Sequence, residues 1–481
     1  MLLLLATSVS LVLFRRTAAP PGPRDRLAVG GRPYFWTGAN YPWKTGQDFG
    51  TGGWGHSGVS DPTTYQEIDA DFANMAARGV RIVKWRVFGD GRYSPEFDAD
   101  GYVTGLDDAF FPDVDAALEL AARHDLYLVF TLFAKELWTF DCRSGGVHMG
   151  GGAATLLDPA KRRSLVERGV VPLLEHLRDS DRVLAFEIIA EPEWGVDELH
   201  REEDGRTKVP LAVVRDFVAQ VTQAIHRDTR ALATVEANRA SNMHYWRGLG
   251  LDYYSYSWYD WLEPYEPLAT PARALKLDRP IVLGEYPAGG STYYQLPQIL
   301  DLAYAGGYAG AFAWSFWGGD GFGPWRTAAP DFAAWVRPRW DAVDVGGLAP
   351  PPAEGPVTEQ PYPYSYDGLE VRAEGGAVVV ELAISVASGE PYVPRAYLYE
   401  LGAPQPLQEV RLAPSKAQAG RLVARFDGVE EGKVYTVSLA LFSRTEVLRK
   451  WFNNLSTFTL AGGQVTTPTL DPLATERPCS P

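Results

Sequence analysis

Two glutamates raise the question of chemistry. The segment "FEIIAEPEWG" (186–195) carries an apolar strand into Glu191, and Pro192 stiffens the chain just after it. The segment "PIVLGEYPA" (280–288) carries a second strand into Glu285. A carboxylate at a strand end is held by rigid backbone. Two of them at the same end of one sheet can divide the work of hydrolysing a glycosidic bond, one protonating the leaving oxygen and the other attacking or stabilising the anomeric carbon. That division requires environments that push their pKa values apart. Other polar and aromatic residues end neighbouring strands: Lys84, Arg86 and Asp90, then Ser257 and Tyr259, then Trp314 and Trp317. Glu236 and Glu187 read as inward carboxylates with structural work, Glu187 pairing with Arg86.

The elements that must position these residues follow a regular alternation. Apolar strands are expected at 34–39, 80–88, 126–133, 182–189, 231–237, 251–259, 280–286 and 307–317, each followed by a helical stretch. "DPTTYQEIDADFANMAARG" opens with Asp61 as helix N-cap and Pro62 at the first helical position, and "DPAKRRS" repeats that start. Strand–helix units in this number predict parallel strands with right-handed crossovers, closed as a (β/α)8 barrel over 26–345. The competing open, doubly wound sheet normally carries a Gly-rich nucleotide loop after its first strand, and "GANYPWKTG" is not one. In the barrel, the site lies at the C-terminal ends of the strands, where both glutamates fall.

Beyond the barrel the pattern changes. A Pro-rich linker is expected at 346–366. The period then becomes two, with turn residues between short strands, which predicts a β-sandwich at 367–460 and a flexible tail at 461–481. Residues 2–14 are an apolar run, short for a membrane span of about 20 residues, and fit a signal peptide or short membrane anchor within 1–25. The chain is therefore expected to be secreted or associated with the cell envelope, any membrane attachment being through this N-terminus only.

The motifs in order resemble those of the clan of retaining (β/α)8-barrel glycoside hydrolases, most closely glycoside hydrolase family 5, the cellulase and β-mannanase family. "TGANYPW", "VKWRVFGDGR", "FEIIAEPEW", "YSYSWYD", "PIVLGEYPA" and "GAFAWSFWG" match strands one, two, four, six, seven and eight of that clan, over roughly 30–345. The resemblance implies a β-linked polysaccharide or oligosaccharide of the glucan or mannan kind as substrate. It implies Glu191 as acid/base and Glu285 as nucleophile, with Tyr259 as a hydrogen-bond donor beside the nucleophile. It implies Trp317 or Trp314 as the floor of the sugar subsite. Asn40, Trp43, Arg86 and Trp194 are expected to bind substrate, and Trp138 to extend the cleft.

Three positions depart from the family pattern. Ala190 replaces the Asn that holds the sugar 2-hydroxyl, Lys84 replaces an Arg, and Ser257 replaces a His. Because both carboxylates remain, the expected function is an active retaining β-glycosidase working by double displacement and tuned to an unusual sugar; the alternative is a glycan-binding protein with impaired catalysis, or, within the same chemistry, a transglycosylase.

Composition excludes other classes. A net charge of −15 repels phosphate backbones, and no basic run suits anionic membrane surfaces. The seven His show no ligand spacing, so neither metal nor organic cofactor is expected, and the carbohydrate is the expected partner of a monomer. The two cysteines, Cys142 and Cys479, could be bonded or could be two free thiols.

Overall fold

The computed structural model describes residues 25–466, apart from 43, 45–47, 51–57, 89–93, 139–141, 145–146, 201–206, 290, 317–324, 352–363, 387–388, 390, 401–402, 404–405 and 447. Eight parallel strands close a barrel: β1 (Trp36–Tyr41), β2 (Ile82–Arg86), β3 (Tyr127–Phe133), β4 (Val183–Ala190), β5 (Leu232–Ala237), β6 (Tyr254–Ser257), β7 (Ile281–Pro287) and β8 (Gly310–Trp314). Each pairs with the next in sequence, and β8 returns to β1 through Gly310↔Trp36 to Ala313↔Ala39. All eight expected strands form. The expectation of a helix after every one does not hold. β5 and β6 are followed by 3-10 turns (Ala240–Trp246, Asp260–Leu262 and Ala272–Leu275), where short connections suffice to reach the next strand.

The Asp-Pro starts form as the sequence predicts. Asp61 accepts from the amides of Thr63 (3.0 Å) and Thr64 (3.1 Å), capping the helix Pro62–Ala77. Asp158 does the same for Ala160 and Lys161 ahead of the helix Pro159–Ser164.

Alternation along the strands sorts the barrel interior by height. At the N-terminal end, Trp36, Ile82, Val129, Ala185, Val282 and Phe312 pack together, joined by Leu27 and Tyr34 from a short hairpin that closes this end. Higher up the lining becomes polar, with Lys84, Thr131, Glu187 and Glu236 all buried. Outside the strands, the helices bury an apolar shell that includes Ile68, Phe72, Leu120, Phe217 and Ile299.

Two antiparallel sheets follow. One holds β9 (Tyr364–Glu374), β10 (Ala377–Val386), β13 (Ala413–Pro414) and β14 (Leu422–Asp427). The other holds β11 (Tyr392–Glu400), β12 (Gln408–Arg411), β15 (Val434–Ser443), β16 (Leu448–Ala461) and β17 (Gln464–Thr466). Gly375 (φ 59°) and Gly376 (φ 77°) make the two-residue turn between β9 and β10, a turn that needs positive φ twice. Val378, Val380, Leu382 and Phe426 of one sheet meet Leu398, Val437, Leu439 and Phe458 of the other in a shared core, as a sandwich requires. Strand β9 starts and β17 ends outside the 367–460 expected from period alone.

The sandwich touches the barrel through Arg449. Its guanidinium reaches Asp61 Oδ1 (3.0 Å) and Thr63 Oγ1 (2.8 Å), at the cap of the first barrel helix.

Candidate active site

Glu191 follows β4 directly, and its backbone is left-handed (φ 53°, ψ 51°). A side chain other than glycine pays about 1–2 kcal/mol for that conformation. The turn is held by the Glu191 amide, which donates to Glu236 O (2.7 Å), and by Pro192 opening a 3-10 turn. Within that turn the Trp194 indole N–H donates to Glu191 Oε2 (2.9 Å). Lys208 fixes the Trp194 carbonyl in turn (2.8 Å). Gly195 is required below, because a Cβ there would lie 2.0 Å from the Trp138 ring.

Glu285 lies in β7 and is 5% exposed, so it is nearly dry but open to the mouth. The Tyr259 phenol donates to its Oε2 (2.7 Å). Burial first, and then the charge of Glu191, push the Glu285 carboxyl up to about 7, against the opposing pull of Lys84, Arg86 and the Tyr259 hydrogen bond. The two glutamates thus sense each other across the mouth, each with one oxygen committed to a neutral donor.

Arg86 ends β2, forms an ion pair with Glu136 (3.2 Å) and sits over the Trp314 ring (5.0 Å from its centroid). Trp314 closes β8, and its peptide bond to Ser315 is cis.

Beneath the mouth lies a buried ionic cluster. Lys84 Nζ contacts Glu236 Oε2 (2.8 Å) and Glu187 Oε2 (3.0 Å), and Thr131 Oγ1 donates to Glu187 Oε1 (2.8 Å). Burial alone would lower the Lys84 pKa, but Glu187 and Glu236 outweigh it and hold the pKa above its ordinary value. Burial and the Glu187 charge drive Glu236 well above the ordinary carboxyl value. Gly284, the glycine before Glu285, makes room for this cluster, since a Cβ would meet Glu236 Oε1 at 2.0 Å and Ser255 Oγ at 2.2 Å.

Several expected partners are replaced. Glu187 pairs with Lys84, not Arg86. The hydrogen-bond register aligns Arg86, Thr131 and Glu187 in one row, but barrel strands are staggered, which brings Glu187 level with Lys84 two residues lower. Asn40 is buried, and its amide nitrogen donates to the carbonyls of Gly284 (3.1 Å) and Ala313 (3.3 Å), so it ties β1 to β7 and β8. Trp138 is fully buried and packs in the core, not along the cleft. Trp194 orients Glu191, a contact that the i, i+3 spacing of the two residues could have suggested. Trp43, Asp90 and Trp317 lie outside the described residues, as do Cys479 and the N-terminal segment to residue 24. The side chain of Cys142 is also outside them. Ser257 Oγ, at the family His position, is buried with no hydrogen-bond partner among the described residues.

No protein-family profile matches the chain. Relatives nonetheless align across the barrel. The mannan endo-1,4-beta-mannosidase of Mytilus edulis is 25% identical over 350 residues, spanning 63% of this chain and 90% of that protein. The enzyme of the same name from Cryptopygus antarcticus is 24% identical over 333 residues, spanning 60% of this chain and 83% of that one. Among solved structures, the endo-1,4-beta-mannanase of Eisenia fetida superposes with a TM-score of 0.55 at 23% identity, covering 65% of this chain and 93% of its own. The beta-mannanase of Mytilus edulis gives 0.54 at 22%, covering 67% and 96%. These superpositions establish a common barrel. The aligned relatives and the paired mouth carboxylates, not the superpositions, make the chain a glycoside hydrolase. The shared barrel is consistent with the family resemblance carried by the strand motifs.

Proposed function

We propose that the chain is a retaining endo-β-1,4-mannanase that hydrolyses mannan by double displacement. The observation that carries the reading is the pair of mouth carboxylates, each with one oxygen fixed by a neutral donor and the other available. Glu285 Oε2 accepts from Tyr259, leaving Oε1 to attack the anomeric carbon. Glu191 Oε2 accepts from Trp194, leaving Oε1 to carry the proton to the leaving oxygen and later to take one from water. Arg86 adds positive potential on the Glu285 side, and Trp314 forms the floor of the central sugar subsite. The mannan substrate and internal cleavage rest on the names of the aligned relatives. Among the described residues no helix is long and apolar enough to cross a membrane, and export through the N-terminal segment accords with a polymeric substrate.

The test is covalent labelling. An activated 2-deoxy-2-fluoro-β-mannoside should leave an adduct on Glu285, found by mass spectrometry and missing from Glu285→Gln. Labelling of another residue, or by glucosides alone, would overturn the assignment.

A further inference from the structure

The mouth carries an aromatic surface that the double displacement does not use. After β6 the chain passes Tyr259, the donor to Glu285, and reaches Trp261 two residues on. The two rings stack, with centroids 4.6 Å apart and planes 13° apart. Trp261 is still 50% exposed. An indole half in water and stacked on a buried phenol offers apolar surface to a ligand.

That surface is held rigidly. Asp260, between the two rings, accepts from Ser291 Oγ (2.7 Å), Thr292 N (2.6 Å) and Thr292 Oγ1 (2.7 Å), all in the loop after β7. Glu263 accepts from the Tyr294 phenol (2.6 Å) and from the Leu268 amide (2.9 Å). The loops after β6 and β7 are therefore stitched together at the rim nearest Glu285. The stitched loop also exposes Tyr293, 51% accessible and adjacent to Thr292. Ser291 Oγ accepts from the Tyr293 and Tyr294 amides and fixes that turn.

Resting on the mannan reading above, we propose that Trp261, backed by Tyr259, is a stacking subsite for a β-linked hexopyranose next to the sugar held at Glu285. The apolar C–H face of a pyranose matches an indole face, and the platform begins one ring beyond the hydrogen-bond partner of Glu285. Pre-set loops lower the ordering cost of gripping a flexible chain. The subsite gives the enzyme a preference for longer substrates and a fixed direction for the chain across the mouth.

The experiment uses the full chain as Glu285→Gln, which can bind without turnover, and manno-oligosaccharides of increasing length in calorimetric titrations. Affinity should rise with length. One step of that rise, on the order of tenfold, should vanish when Trp261→Ala is added and return in part with Trp261→Phe. Identical length profiles with and without Trp261→Ala would overturn the subsite. If Trp261→Ala alters folding, the Trp261→Phe comparison decides, since a structural defect would not be confined to one chain-length step. Failure of the mannan reading looks different: Glu285→Gln with Trp261 intact would bind no manno-oligosaccharide of any length, and the subsite as stated would fall with it.

Discussion

The polar interior of the barrel and its mouth are built from the same residue types, yet they behave as opposites. In the interior, Glu187 and Glu236 share the ammonium of Lys84 at 3.0 and 2.8 Å. At the mouth, Glu191 and Glu285 are each held by a neutral donor, the Trp194 indole and the Tyr259 phenol. The interior pair shares one ammonium, so one negative charge must stay there to balance it, and losing either charge strands the other. A carboxylate bonded to an indole or a phenol can gain a proton or form an ester without leaving a charge uncompensated. The type of partner separates scaffold from reagent here more clearly than burial does.

Mutations should break the comparison along that line. Glu191→Gln removes the transferable proton and should lower kcat on mannan by about 10²–10⁴-fold while leaving the melting temperature close to that of the parent. Steady-state kinetics and calorimetry on the same preparation check both halves. Lys84→Met should strike stability, costing about 3–5 kcal/mol by leaving Glu187 and Glu236 without their cation. Glu236→Gln should be far milder, since that carboxyl is driven toward its neutral form. Chemical denaturation distinguishes them.

Smaller effects sharpen the mouth. Glu285 must be ionised to attack, and its pKa is pushed up to about 7. Activity should therefore rise with pH through neutrality and fall below it, not near the ordinary carboxyl value. Tyr259→Phe removes a donor that favours the charged form, so this acid limb should move to still higher pH, with kcat lowered about tenfold to a hundredfold. A limb that stays put would show that Tyr259 does not tune Glu285. Trp194→Phe keeps the ring but loses the indole N–H and should cost roughly threefold to tenfold in kcat with KM little changed. A rise in KM alone would return Trp194 to a sugar-binding role.

Much of this was legible in the sequence, for identifiable reasons. Period-two and helical patterns, with Asp-Pro starts at 61–62 and 158–159, gave the order of the barrel because each signal is local. Both carboxylates were visible because strand ends map directly onto the mouth. Partnerships across strands were not. Whether Glu187 meets Lys84 or Arg86 depends on the stagger of a closed barrel, which no single strand encodes. Asn40 shows the same limit: its amide is engaged by carbonyls of β7 and β8, far away in sequence. Trp261 was readable only as one of many aromatics until its ring was seen stacked on Tyr259.

The contact of Arg449 with Asp61 and Thr63 joins residues 388 positions apart. On a ribosome adding about 5–20 residues per second, the guanidinium emerges on the order of 20–80 s after the helix end it will bind. Asp61 caps that helix with its own backbone contacts meanwhile, so the first barrel helix is serviceable before its last partner exists. The sandwich then joins the assembly late, tying a later stretch of translation to a barrel element already out of the tunnel.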